Sequence, residues 1–303
     1  MITIVSLISS AFQNLRSLKC RIHLIFTGEY VETIVPIILS QNGKSKKVLV
    51  VDCDNTLWKG ILGEDGFDNI EMSSKTKYGK IFMEVQQLLK TYSNEGILIA
   101  LCSKNNLNDV ENVLMNHKDM ILTEDYIVSK EINWNNKLEN IKKISDVLNL
   151  NLDSFVFIDD SDFEINLVKT YLPQVKAIKV PENLNDYIQL MKNVKNLFYQ
   201  NKFSNEDIKR TEKYKQRAKR IEYESQFSNV DEYLESLKQK IVINIDDHDC
   251  INRLSQITQK TNQFNLTTKR LTVSEIRNFM ESSQYKVFSL SHSDQFGDSG
   301  ITD

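Results

Sequence analysis

Asp52-Cys53-Asp54-Asn55-Thr56 sets two carboxylates two residues apart, directly after an apolar run. On a continuing strand such a pair faces one side. Here the chain leaves the strand, so one carboxylate can face a metal and the other a leaving group. That division suits phosphoryl transfer through an aspartyl-phosphate, with Asp52 attacking phosphorus and Asp54 moving the proton. Thr56 completes the pattern D-x-D-x-T. Further along, Ser103 can hydrogen-bond a phosphoryl oxygen, Lys137 can neutralise charge, and Asp159-Asp160 can hold Mg2+ with Asp52. Oxygen donors of this kind suit Mg2+, which bridges nucleophile and phosphate. A lone D-x-D is usually a solvated loop. The ordered set of D-x-D-x-T, Ser, Lys and Asp-Asp, each near an expected strand end, is hard to obtain by chance.

Those residues need strands to carry them. Val48–Asp52 is a continuous apolar run ending in acid, as a central parallel strand should be. Ile97–Cys102 and Ser154–Asp159 are two more, and Val175–Val180 is a fourth. Helical apolar spacing covers Thr76–Tyr92, Asn108–Asn116, Asn135–Leu148 and Glu164–Tyr171. The alternation predicts an open parallel sheet with helices on both faces, whose ligands bind beyond the carboxyl ends of the strands. Only Trp58–Ser74 is spare, enough for a β-hairpin flap turning at Asp65-Gly66 and leaving the site without a large cap. After about Leu197 the texture changes. Ser204–Asp207 resembles a capping box before a long basic helix, Lys240–Ile245 and Val287–Leu290 are strand candidates, and Asp249 can cap a helix running through Ile257. The expected divisions are an N-terminal segment, 1–45, a core, 46–198, and a C-terminal region, 199–303.

Composition narrows the class. The 303 residues suggest about two domains as a soft prior. With 9 Gly and 3 Pro, collagen-like or Pro-rich disordered architecture is excluded. The net charge of −3 argues against a general nucleic-acid binder. No apolar run approaches the ~20 residues of a membrane span, and Ile2–Ile8 lacks the flanks of a signal peptide. The four cysteines show no C-x-x-C spacing, which fits free thiols and a cytoplasmic setting.

Longer motifs sharpen the reading. Val50–Gly66 (VVDCDNTLWKGILGEDG), Leu101–Asn105 (LCSKN), Asn133–Lys137 (NWNNK), Ser154–Asp160 (SFVFIDD) and Thr258–Thr268 (TQKTNQFNLTT) resemble the FkbH-like family, subfamily IIIC of the haloacid dehalogenase superfamily. The resemblance implies a Rossmann-like core and a Mg2+-dependent site. Asp52 matches the nucleophile, Asp54 the acid/base, Ser103 and Lys137 the phosphate-binding pair, and Asp160 with Asp159 the metal acids. Asp54 is counted with the metal residues as well. Such proteins are associated with dephosphorylating 1,3-bisphosphoglycerate and loading the glyceryl unit onto an acyl carrier protein. Two departures stand out. Ser161-Asp162-Phe163-Glu164 keeps the usual acid but not the Asn-Pro turn before it, and the chain stops at Asp303, partway through an α+β region resembling an N-acetyltransferase. The expectation is therefore phosphate release with poor carrier loading. A stand-alone small-molecule phosphatase and a non-catalytic binding remnant are the rivals.

Cys102 adjoins Ser103, and a thiolate lowered by Lys104 and Lys137 could accept the glyceryl group as a thioester. Its plain alternative is a small buried hydrophobe. Trp58 either closes over substrate or anchors the flap. Lys104, with Thr56, counts among the substrate-binding candidates. The basic run Lys209–Arg220 could steer an acidic carrier, though such runs are usually solvated faces. Asp246–Cys250 is better explained as acids at a helix N-terminus than as a metal site.

Overall fold

A computed structural model of the chain describes residues 45–198, 205–224, 226–260 and 269–302. The expectations for residues 1–44 and for Ser204, and residues 261–268 of the motif Thr258–Thr268, lie outside the described residues. The chain divides into two compact units, with the division between Lys215 and Gln216.

The first unit is built on five parallel strands: β1 (Val48–Val51), β2 (Leu98–Ser103), β3 (Ile127–Ile132), β4 (Phe155–Asp159) and β5 (Lys176–Lys179), in the order β3-β2-β1-β4-β5. β1 is buried on both faces, which is why it is apolar without alternation. Leu49 and Val51 face one core, with Phe82, Val85 and Leu89 of α2 (Lys77–Asn94) and Tyr187 and Met191 of α6 (Tyr187–Lys195). Val48 and Val50 face the other, with Ile141, Ile144 and Leu148 of α4 (Lys137–Leu148) and Ile165 and Val168 of α5 (Asp162–Tyr171). α3 (Leu107–Asn116) joins the first core through Val110, Val113 and Leu114. The order reverses at β1: the chain moves outward to β2 and β3, then returns to β1's other side as β4. Such a reversal opens a crevice at the carboxyl ends of the two diverging strands. Register fixes what lines it. Val51 pairs with Ile158, so Asp52 and Asp159 emerge side by side.

The four expected strands and four expected helices of this unit form within a few residues of their anticipated limits. β3 was not anticipated. Its run IVSKEI carries Ser129 and Lys130, half-buried on this edge strand, and Glu131, buried but paired with Lys143 at 3.0 Å. The flap also differs. Its arms meet, since Lys59 and Glu71 exchange backbone N–H···O bonds of 2.9 Å. Asp65-Gly66 is not a tight hairpin turn, however. Leu62–Asp65 forms a single helical turn, α1, and Gly66 terminates it at φ +78°. Asp65 accepts from the Ile61 N–H at 2.7 Å, a local bond that favours the helical turn over a two-residue hairpin.

In the second unit, α8 (Val230–Ser236), α9 (Ile251–Lys260) and α10 (Val273–Glu281) accompany an antiparallel sheet of β6 (Lys240–Ile245), β7 (Phe288–Asp294) and β8 (Gly297–Thr302), in that order. Ile251, Ile276 and Met280 form its small core. A capping box of Thr272 and Glu275 opens α10. Ile243 pairs with Leu290 and Ile245 with Phe288, and all four are exposed on one face of the sheet.

Candidate active site

The crevice at the β1–β4 ends gathers acids and one lysine. Lys137 is the first residue of α4, and its ammonium contacts Asp52 Oδ1 at 2.7 Å and Asp159 Oδ2 at 2.6 Å. All three side chains are buried. A positive charge at a helix N-terminus opposes the helix dipole. Burial by itself would also lower the Lys137 pKa, but Asp52 and Asp159 outweigh it and hold the ammonium above its usual range. Asn136 caps the helix by accepting from the Leu138 N–H at 2.9 Å, which fixes where Lys137 begins.

One lysine does not balance the acids around it. Asp52, Asp159 and Asp160 bring ligand oxygens within 4.8 Å of one another. Burial pushes the Asp52 carboxyl up to about 7, with Asp159 adding to the rise against the pull of Lys137. Burial and Asp159 push Asp160 up as well. Carboxylates held above their ordinary range in an all-oxygen cluster fit a hard divalent cation such as Mg2+, which would restore their ionised forms.

Asp54 is turned to a different task. Its Oδ1 accepts from Trp58 Nε1 and from the Leu62 N–H, both at 3.0 Å, and its Oδ2 accepts from Asn105 Nδ2 at 2.9 Å. These bonds hold its carboxylate apart from the cluster of Asp52, Asp159 and Asp160. Ser103, almost wholly buried, accepts from the same Asn105 nitrogen at 3.2 Å. Thr56 is fully buried, and its hydroxyl has no hydrogen-bond partner among the described residues. Its carbonyl accepts from the Tyr187 hydroxyl at 3.0 Å.

Three expectations need revising. Trp58 is fully buried with its indole nitrogen on Asp54, so it anchors the flap and orients a carboxylate rather than closing over substrate. Cys102 is fully buried on the face of β2 opposite Leu101, among Val48, Val50 and Ala100. Burial drives its thiol well above the ordinary value, and Lys137 only partly offsets this. A thiolate acceptor at Cys102 is thus disfavoured. Lys104 does not act on that thiol, because its ammonium pairs with Glu164 Oε1 at 2.7 Å. Asn105 and Glu164 were assigned no role from sequence, although Asn105 lies in the motif LCSKN and Glu164 stands where an acid is usual.

Residues 44–195 match the family model described as acid phosphatase. A crystal structure of the N-terminal part of the protein BF1531 from Bacteroides fragilis, containing a phosphatase domain complexed with Mg, is 39% identical in sequence with a TM-score of 0.54. The match covers 56% of this chain and 45% of that one, so this chain spans less than half the length of the solved relative. No curated protein matches the chain.

Proposed function

The chain belongs to the acid phosphatase family, and we propose that it is a Mg2+-dependent phosphohydrolase working through an aspartyl-phosphate on Asp52. The observation that carries this reading is the buried ion triad at the crevice: Lys137 between Asp52 and Asp159, with Asp160 completing a set of acids suited to a cation.

Asp52, Asp159 and Asp160 would hold the Mg2+. When bound, the ion draws the carboxylates into their ionised forms and offsets charge on the phosphoryl oxygens. Asp52 attacks phosphorus as the bond to the leaving oxygen breaks, and that oxygen takes the proton of Asp54. Asp54 then removes a proton from the water that hydrolyses the acyl-phosphate, which frees Asp52 and phosphate. Oδ1 of Asp54 accepts two hydrogen bonds, whereas Oδ2 accepts one and keeps a lone pair for the proton. Ser103 can donate to a phosphoryl oxygen, and the Lys137 ammonium stabilises charge there.

Asp52→Asn tests the reading. Phosphate release should fall on the order of 10³-fold or more with the fold retained, since the covalent route is removed. Chelation by EDTA should silence the native protein and Mg2+ should restore it. Near-normal turnover by the variant would overturn the mechanism.

A finer reading rests on the sequence resemblance. It takes the substrate as 1,3-bisphosphoglycerate and passes the glyceryl unit to an acyl carrier protein, with the C-terminal region resembling part of an N-acetyltransferase. The enclosure of Cys102 favours direct transfer to the carrier's thiol over relay through this chain. Carrier loading followed by intact-mass spectrometry separates this from simple hydrolysis, which leaves the carrier unmodified.

A further inference from the structure

We infer that Asn105 is a positioning residue that aims the proton of Asp54 and the hydroxyl of Ser103 through one amide nitrogen. Asn105 sits two residues beyond the end of β2 and is 5% exposed. Its Nδ2 lies 2.9 Å from Asp54 Oδ2 and 3.2 Å from Ser103 Oγ. An amide nitrogen carries two protons, so each acceptor receives one. The two acceptors come from different strand ends, β1 and β2, and have different duties in the reading above. A single rigid donor therefore sets the distance between the proton carrier and the phosphate-binding hydroxyl.

Two consequences follow from hydrogen-bond direction. Ser103 Oγ accepts from Asn105, so its own proton is left to donate elsewhere. A phosphoryl oxygen entering over Asp52 would meet that same donor. Asp54 is gripped at both oxygens: Trp58 and Leu62 hold Oδ1 from the flap side, and Asn105 holds Oδ2 from the β2 side. Without Asn105 the carboxylate can pivot about the Oδ1 contacts, and Oδ2 is the oxygen left to move the proton. Such misplacement costs catalysis without loss of the fold. The donor is also neutral, so it fixes the carboxylate without adding a second cation beside Lys137.

This inference rests on the proposed phosphatase reading, and its test separates the two. The rate constant kcat/KM is measured for a series of phosphate monoesters, from p-nitrophenyl phosphate to alkyl phosphates. Asn105→Ala and the near-isosteric Asn105→Asp are compared with the native protein. kcat/KM reports the step in which the leaving group departs, and p-nitrophenolate departs without needing a proton. We expect alkyl esters to lose at least ~10-fold, toward the ~10²-fold worth of a positioned acid. p-Nitrophenyl phosphate should lose at least ~3-fold less than the alkyl esters, keeping only the share that misplacing Ser103 costs. Both variants should retain the native circular dichroism, and Asn105→Asp serves if Asn105→Ala does not fold. Equal losses across the series, or no loss for any ester, would overturn the inference. A native protein that hydrolyses none of the esters would overturn the phosphatase reading instead.

Discussion

At the scale of single residues, the site is a problem in charge. Asp52 titrates near 7 in the folded chain, against 3.8 for an ordinary aspartate. Between those values the folded protein keeps a proton that the unfolded chain has lost. Stability of the metal-free protein should therefore fall as pH rises from about 4 to about 7, by at most ~1.4 kcal/mol per pH unit for one proton. Melting in EDTA at pH 5 and pH 7 checks this, with the lower melting temperature expected at pH 7 and a flatter response in Asp52→Asn. An unchanged melting temperature would mean that Asp52 titrates normally. The Lys137 ammonium, held above its usual range, stays charged throughout this window and does not contribute to the slope. Its removal is costly for a different reason. Lys137→Met leaves Asp52 and Asp159 buried without their counter-charge, at a cost of about 3–5 kcal/mol near neutral pH. Mg2+ should recover part of that loss.

The element that matters most is α4, because it delivers Lys137. Its first turn carries an unfavourable cation, and its start is fixed by Asn136, whose side chain accepts from the Leu138 N–H. Asn136→Ala should cost about 1 kcal/mol, the usual worth of such a cap. It should also lower turnover more than that loss alone explains, because a frayed first turn displaces the ammonium from Asp52. A urea midpoint measured beside kcat tests both parts. An unaltered midpoint would show that the cap does not hold the turn. At the far end, Asn149 adopts the left-handed conformation at φ +52°, where asparagine is tolerated, and so ends the helix before β4. The flap works by a comparable local logic. Gly60 has φ +107°, and a Cβ there would lie 2.8 Å from Asp65 Oδ2, so glycine lets the arm pass beside the helical turn.

For the whole molecule, the proposed chemistry lies within the first unit. Every residue from Asp52 to Glu164 used above belongs to it, and both layers of its core close around the parallel sheet. Tyr214 of α7 (Asn205–Glu224) also packs against one of those layers. A chain ending after Glu224 should therefore keep Mg2+-dependent phosphate release within a few-fold of the full chain. Loss of release from a folded fragment would place part of the site in the second unit. In that unit Arg220 pairs with Asp294 at 2.6 Å, and Asp294 is nearly enclosed, so the ion pair helps to fasten the helix to β7. The exposed apolar face of β6 and β7 lies there too.

The sequence by itself determined the central strands and the places at their ends where the candidate residues stand. The runs around Val48, Ile99 and Phe157 are apolar without alternation, and only a strand buried on both faces calls for that pattern. Each ends in the polar residue that a strand-end site requires. Local patterns could not reach what depends on partners far along the chain. IVSKEI is a strand because β2 lies beside it, not because its own residues demand one. Trp58 and Cys102 stood open between two roles, and enclosure favours the packing role for each, since burial is set by what packs around a side chain. Asn105 looked like one more loop residue until folding brought Asp54 to its amide, 51 positions away in the chain. The raised Asp52 carboxyl likewise comes from enclosure and from Asp159, neither of which a strand's own residues encode.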